Sequence, residues 1–308
     1  MTETARLVSS SRPVVEVEGI GLHSGDSVVV ELRPSDRLEI EFHVQSAEAL
    51  LRCPARWDSL SGTARCTALV LRGERRGRTE LRTVEHLMSA LMAMGLPPLT
   101  VRVLGQPSKD SYELPVLDGS SAPWMAPLIA VLGEPLRPPM DYFRVSRRFE
   151  FKSGDAWIRF EPVESLICEW DCRVDFGPRH QQDKVFLQNW LEPLESWKRY
   201  CQEIAPARTF GFRRELEDLA KRGLARGGSL SNALLLEDEG PTSGQSFKVE
   251  SELAAHKLLD AMGDFGLAGR PLVGRLQLFK AGHALHLMAL KEAFQQGVLE
   301  PTCLQDWI

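Results

Sequence analysis

The sequence predicts an α+β fold built as two similar domains. Three observations carry that expectation. Short segments of alternating polarity read as strands, and they cluster rather than alternating one for one with helices. A few amphipathic stretches of helical period stand apart from them. After a proline-rich stretch, EPLRPPMD at 134–141, the same sequence of elements begins again. With 308 residues, each part is long enough to bury its own core. The expected domains are residues 1–135 and 140–308.

The elements follow in order. VVEVEG, SVVVELRPSD and RLEIEFHV, within 12–44, alternate as strands between Gly and Asp turns, and ARCTALVLRG reads as another. TVEHLMSALMAMG (83–95) then switches to helical spacing, with Val84, Leu87, Met88, Leu91 and Met92 on one face. Thr83 is the expected N-cap, and Gly95 with Pro97 ends the helix. LTVRVLG returns to strand, and SSAPWMAPLIAVLG is a second, short helix. Beyond the proline-rich stretch, YFRVSRRFEFKSGDAWIRFEP and LICEWDCRVDFG read as strands, and SWKRYCQEIA and FRRELEDLAKRG as helices. ALLLED is a strand, VESELAAHKLLDAMGDFG a helix, LVGRLQLFKAG the closing strand and HALHLMALKEAFQQ a final helix. The halves echo each other: each has strands, a His-bearing helix, then AMG, a Pro and a strand.

Composition excludes some classes. The chain is 43% hydrophobic and 26% charged, with a net charge of −5. That balance argues against a nucleic-acid binder, though not against a local basic pocket for a phosphate. The opening MTETARLVSS has no apolar core of a signal peptide, and no apolar run approaches the ~18 residues of a membrane span. Of the six Cys, only Cys168 and Cys172 are close. C-x3-C without a second pair is a poor zinc signal, so the thiols read as reduced and the protein as cytoplasmic.

The residues able to carry chemistry lie in a few places. In HKLLDAMGD, residues His256, Asp260 and Asp264 are spaced four apart, so one stripe of a helix presents an imidazole and two carboxylates. The stripe is either a solvated face or a site. His256 and Asp260, one turn apart, have the spacing of paired zinc ligands. TVEH adds Glu85 and His86 in a first helical turn. A catalytic zinc needs three protein ligands, an open position and a base near the metal but not on it. His86 and Glu85 would supply the third ligand and the base. Equally, Glu85 would suit the helix dipole and His86 could be a core histidine. His283, after Gly282 in FKAGHALH, is a loop imidazole aimed into a cleft or at water. Thr209, in ARTFGF, is a hydroxyl donor or a turn residue. GIGLHSGD (19–26) is a Gly-rich loop without a phosphate-loop spacing, and its Leu22 and His23 either reach a pocket or close a hairpin.

Taken together, GIGLHSG, TVEHLMSALMAMG, ELPVLDGSSAPW, ARTFGF, RGLARGGSLSNALLLED, HKLLDAMGD and FKAGHAL, in this order over roughly 12–290, closely resemble the UDP-3-O-acyl-N-acetylglucosamine deacetylases. These are zinc enzymes of lipid A synthesis in Gram-negative bacteria. The resemblance implies that His86, His256 and Asp260 bind Zn2+ (or Fe2+ in the cell) and that Glu85 is the general base. It implies that His283 assists as acid or electrostatic stabiliser, that Asp264 orients it, and that Thr209 helps hold the oxyanion. Lys257 and Lys280 match residues near the substrate diphosphate, and Phe210 an aromatic near the sugar nucleotide. Leu22, Phe212 and Leu216 match the passage for the fatty acyl chain. The implied fold packs helices between two sheets. The implied substrate is UDP-3-O-acyl-N-acetylglucosamine, acted on by a monomer. Ala255 stands where relatives commonly have Arg, Pro97–Pro98 replaces a polar pair, AGH replaces SGH, and the approach to the second ligand helix (237–252) differs. None of these changes removes a metal ligand or the base. A deacetylase of another N-acetyl sugar, or a non-catalytic sugar-nucleotide or lipid binder, are the other readings; a base beside a metal set argues against the last.

Overall fold

The structure, a computed structural model, describes residues 5–9, 13–45, 50–62, 65–73, 79–105 and 111–308. Residues 1–4 and 10, part of the expectation about the N-terminus, lie outside them. The α+β class is what the structure shows. The described helices are α1 (Glu85–Ala93), α2 (Ala122–Leu132), α3 (Pro193–Glu203), α4 (Leu216–Lys221), α5 (Glu252–Gly266) and α6 (His283–Gln295). No described helix is long and apolar enough to cross a membrane. All six Cys are free thiols, four of them buried and Cys201 and Cys303 half-buried.

Packing groups the chain into two compact units that interleave along it, a different division from the linear halves 1–135 and 140–308. The first comprises Met1–Val84, Pro97–Gly133 and Arg208–Ser246. Its six-stranded sheet runs Ala5–Ser9, Val14–Ile20, Ser27–Pro34, Leu99–Leu104, Ile40–Gln45, Leu50–Pro54. Every neighbouring pair is antiparallel except Ile40–Gln45 with Leu99–Leu104. The alternation that marked these strands is a burial pattern: Val30, Leu32, Phe42, Val44, Val101 and Val103 are wholly buried, and α2 packs on Val14–Ile20 and Ser27–Pro34. Smaller sheets hold Ser111–Glu113, Thr79–Arg82, Ala68–Leu71 and Leu60–Gly62, and Phe210–Phe212, Leu234–Glu237 and Gly240–Pro241. Arg208–Ser246 joins this unit through its backbone: Thr209 N donates to Gly119 O at 2.6 Å, and Gly227 N to Leu22 O at 3.0 Å.

The second unit comprises Glu85–Leu96, Glu134–Ala207 and Phe247–Ile308. Its seven-stranded sheet runs Phe149–Ser153, Ala156–Glu161, Leu272–Phe279, Asp141–Val145, Leu299–Cys303; Ile167–Asp175 also pairs with Leu272–Phe279 and carries Gln181–Asn189. Helix α5 lies against Ile167–Asp175 and Gln181–Asn189, and α1 and α6 pack against α5. Every residue of α5 except Lys257 is buried, as is every residue of α1. A helix surrounded on all sides has no solvated face. The His256–Asp260–Asp264 stripe is therefore interior, and the surface-face alternative falls.

Two glycines let these helices meet. A Cβ added at Gly263 would lie 2.1 Å from Glu85 O, and one at Gly266 would lie 3.3 Å from Met88 Cε. The α1 backbone thus rests on α5 where side chains are missing, which brings Glu85 and His86 beside the α5 stripe.

Some local expectations are corrected. Thr83 does not cap α1: it sits at φ +60 and its hydroxyl donates to Glu113 Oε1 at 2.9 Å. Gly95 does end the helix, at φ +86, with its N–H on Met92 O at 3.0 Å. The fold closes on a strand, Leu299–Cys303, and not on α6; it pairs antiparallel with Asp141–Val145 at the end of the sheet order. Pro301 disguises that strand in the sequence, and an edge position is where proline is tolerated. Gln181–Asn189 was also illegible, because its polarity does not follow its burial: Val185 and Leu187 are exposed while Gln188 is buried.

Candidate active site

The buried stripe of α5 meets the first turn of α1 in one cluster. Ligand atoms of His86, His256 and Asp260 all lie within 4.8 Å of one another. Asp260 Oδ1 stands 3.5 Å from His256 Nε2 and 3.8 Å from His86 Nε2. The imidazole rings meet edge to face, with centroids 5.2 Å apart. His256 Nδ1 is 3.0 Å from the Ala207 carbonyl. A carbonyl only accepts, so Nδ1 carries the proton and Nε2 turns its lone pair toward Asp260. Asp260 Oδ2 accepts from Lys257 Nζ at 2.8 Å.

The charges fit donors to a cation. Burial, with His256 beside it, pushes the His86 imidazole down to about 3. Burial also lowers His256. Against the cost of burial, His256 and Lys257 hold the Asp260 carboxyl well below the usual carboxylate range. Two neutral imidazoles and a carboxylate are the deprotonated forms that a metal needs.

An acid–base group adjoins them. His283 Nε2 stands 3.8 Å from Glu85 Oε1 and 3.9 Å from Asp260 Oδ2. Its Nδ1 is 2.8 Å from Asp264 Oδ2, and His286 Nδ1 reaches the same oxygen, also at 2.8 Å. Burial opposes a charge on His283, but Asp264 and Asp260 outweigh it and raise the imidazole to about 10. Burial, partly offset by His283, pushes the Glu85 carboxyl up to about 8. The site thus pairs a carboxyl that titrates near neutrality with an imidazolium.

Only one of the two His/Asp groups calls for an ion. Asp264, His283 and His286 also offer three close ligand atoms, but their contacts are hydrogen bonds of 2.8 Å. At the other group, Asp260 Oδ1 is buried and makes no hydrogen bond among the described residues. A buried carboxylate oxygen with no hydrogen bond, facing two imidazole nitrogens at 3.5 and 3.8 Å, is unfavourable unless a cation lies among them. Donors about 2.0–2.2 Å from a tetrahedral zinc stand roughly 3.3–3.6 Å apart, close to the spacing found here. The residues fit the metal that the sequence resemblance implied.

The remaining candidates lie in two places. In the second unit, Lys257 is engaged by Asp260, and Lys280, at φ +50, pairs with Asp155 at 2.9 Å and Asp175 at 3.2 Å. Ala255 is wholly buried, a place where a long cation would meet packed core. In the first unit, Thr209 precedes the strand Phe210–Phe212, which pairs with Leu234–Glu237. The Leu22 carbonyl accepts from Gly227 N at 3.0 Å, so GIGLHSG and RGLARGG share one corner of that unit. Phe212 is buried, while Leu216 is 39% exposed. Sequence reasoning assigned no role to His286, Gly263 or the Ala207 carbonyl. The second His of HALH and the Gly of AMG were the only visible signals.

An interior set of cation donors beside an acid–base pair defines a class, that of sites built for metal-assisted hydrolysis. Within that class, the chain belongs to the family LpxC, UDP-3-O-acyl N-acetylglycosamine deacetylase, whose profile matches residues 11–295. It is similar to proteins named UDP-3-O-acyl-N-acetylglucosamine deacetylase in several bacteria. The one from Pseudoalteromonas atlantica is 33% identical over 282 residues, covering 91% of this chain and 88% of that protein. The Xanthomonas axonopodis pv. citri protein is 34% identical over 274 residues, covering 88% of this chain and 85% of its own. The Vibrio parahaemolyticus protein is 33% identical over 282 residues, covering 91% and 87%.

Proposed function

We propose that the protein is a zinc-dependent N-deacetylase. It hydrolyses the acetamide of UDP-3-O-acyl-N-acetylglucosamine to acetate and the free amine, the committed step of lipid A synthesis. His86, His256 and Asp260 would hold Zn2+, with Fe2+ the alternative ion. The observation that carries the reading is the buried Asp260 Oδ1, without a hydrogen bond among the described residues, facing two imidazole nitrogens at 3.5 and 3.8 Å.

What the bound cation supplies is Lewis acidity toward water and the amide carbonyl. The chain's residues do the rest. Glu85 takes the proton of the attacking water, and burial places its pKa near the working pH, where a base is most effective. His283 enters the reaction as imidazolium, held in that form by Asp264, and stabilises negative charge or delivers a proton to the leaving amine. Thr209 donates its hydroxyl to the oxyanion. Lys257 and Lys280 meet the diphosphate, Phe210 the sugar nucleotide, and Leu22, Phe212 and Leu216 the acyl chain. The enzyme works as a cytoplasmic monomer.

The test is deacetylation of UDP-3-O-acyl-N-acetylglucosamine by metal-stripped and zinc-reloaded protein, beside UDP-N-acetylglucosamine and free N-acetylglucosamine. Zinc-restored turnover confined to the acylated nucleotide supports the proposal. Equal turnover of all three would make the protein a general N-acetyl-sugar deacetylase. No turnover by stoichiometrically loaded protein refutes enzymatic function.

A further inference from the structure

One buried titratable side chain has no part in the mechanism above. His286 is 1% exposed, on α6, one turn beyond His283. Residues three apart on a helix share a face, and both imidazoles point at α5, where Asp264 is wholly buried. Asp264 Oδ2 takes both Nδ1 atoms at 2.8 Å. A carboxylate oxygen accepts, so both rings carry hydrogen on Nδ1. The rings stand at 81° to each other, with centroids 6.2 Å apart, so the two N–H groups approach one oxygen from different directions. One donor alone would let the carboxylate swing about that bond; two crossing donors hold it. Phe265 flanks the His286 ring, with centroids 6.0 Å apart, and limits its rotation.

We infer that His286 is a positioning residue for the acid–base pair: its Nδ1–H fixes the Asp264 carboxylate that aims His283 Nε2 at the space beside Glu85. The inference rests on the reading of His283 as a participant in deacetylation. It concerns hydrogen-bond donation from one ring position, and that makes it separable from core filling. Asparagine places an N–H where His Nδ1 stands. Glutamine places one where Nε2 stands. Leucine fills the space and donates nothing.

The experiment compares H286N, H286Q and H286L in zinc-loaded full-length protein, with steady-state kinetics and proton NMR of nitrogen-15-labelled histidines. The wild type should show exchange-protected, downfield Nδ1–H resonances assigned to His283 and His286, beside that of His256 on the Ala207 carbonyl. H286N should keep the His283 resonance in place and retain kcat within about threefold. H286L and H286Q should shift that resonance and lower kcat by about 10- to 100-fold at little changed KM, the scale of a misplaced catalytic group. Wild-type kcat in H286L, or rescue by glutamine equal to that by asparagine, would overturn the inference. If the wild type proves inactive, the proposed function fails while the spectrum still decides the contact: absence of a downfield Nδ1–H from either His283 or His286 in the wild type refutes the shared carboxylate, and both with the predicted response in H286L uphold it. Should H286L or H286Q not fold, the wild-type and H286N spectra decide in the same way.

Discussion

Replacing Gly263 by Ala tests whether the approach of α1 to α5 builds the site. In the middle of a helix, Gly→Ala ordinarily stabilises by about 1 kcal/mol. Here the new methyl would lie 2.1 Å from Glu85 O, 2.8 Å from Glu85 C and 3.0 Å from its Cα. Those are backbone atoms, so no rotamer change relieves the clash. The helices must part by about 1.3 Å to restore ordinary contact, and overpacking of this kind costs about 1–3 kcal/mol. The first residues to move are Glu85 and His86, the proposed base and one proposed metal donor, and a displacement near 1 Å can cost about a hundredfold in rate. Gly266→Ala is the control on the same helix: its nearest contact, 3.3 Å, is the flexible end of Met88, so strain and propensity nearly cancel. Calorimetry of the metal-free proteins should show G263A melting lower, by roughly 2–4 °C per kcal/mol for a chain of comparable length, with G266A near wild type. Metal analysis and kinetics should show weakened zinc binding and a kcat loss in G263A alone. A G263A protein as stable as G266A, with full zinc and wild-type kcat, would refute the reasoning.

Other outcomes follow from the same geometry. His256→Ala removes one donor and leaves Asp260 Oδ1 facing only His86, so elemental analysis should find the site empty; stoichiometric tight zinc would disprove the ligand set. Glu85→Ala should retain its metal yet lose about 10²–10⁴ in kcat, the range of general base catalysis; parallel loss of metal would make Glu85 a ligand. His283 is raised from 6.5 to about 10 in the fold. Its contribution to the stability of the metal-free protein is thus fully present below pH 6.5 and lost as pH rises through about 10, a slope that His283→Gln should remove from denaturant titrations. In the pH–rate profile, ionisation of Glu85 gives the acid limb and loss of the His283 proton the alkaline one, both drawn lower by a bound dication; an alkaline limb unchanged in His283→Gln would assign it to the metal water. Each buried methylene of the acyl chain should contribute ~0.8 kcal/mol, so removing about four carbons should lower kcat/KM roughly a hundredfold, and Leu216→Trp should penalise only long chains. A flat acyl series would remove Phe212 and Leu216 from the passage.

Much of the chemistry was legible in local order. The spacing of His256, Asp260 and Asp264 places three polar groups on one stripe wherever a helix forms, because side-chain direction within a helix depends only on the 3.6-residue repeat. The apolar spacing of 83–95 and 249–266 likewise marked α1 and α5. Tertiary structure decided whether the stripe faces water. That depends on what covers it, and the cover comes from elements distant in sequence: the α1 backbone, the strands Ile167–Asp175 and Gln181–Asn189, and α6. Long-range partners were equally hidden. Gln182 Oε1 accepts from Leu253 N at 2.9 Å, at the start of the helix that carries His256, though nothing near either residue announces it. The contact between α1 and α5 depends on the side chain that Gly263 lacks, and periodicity scores an absent side chain only as a weak helix former. His286 joins His283 on one oxygen because α6 packs against α5. Sequence alone therefore determined which groups could act and their local spacing; only packing decided that they converge in a buried interior, where an uncompensated carboxylate oxygen costs enough to require a partner.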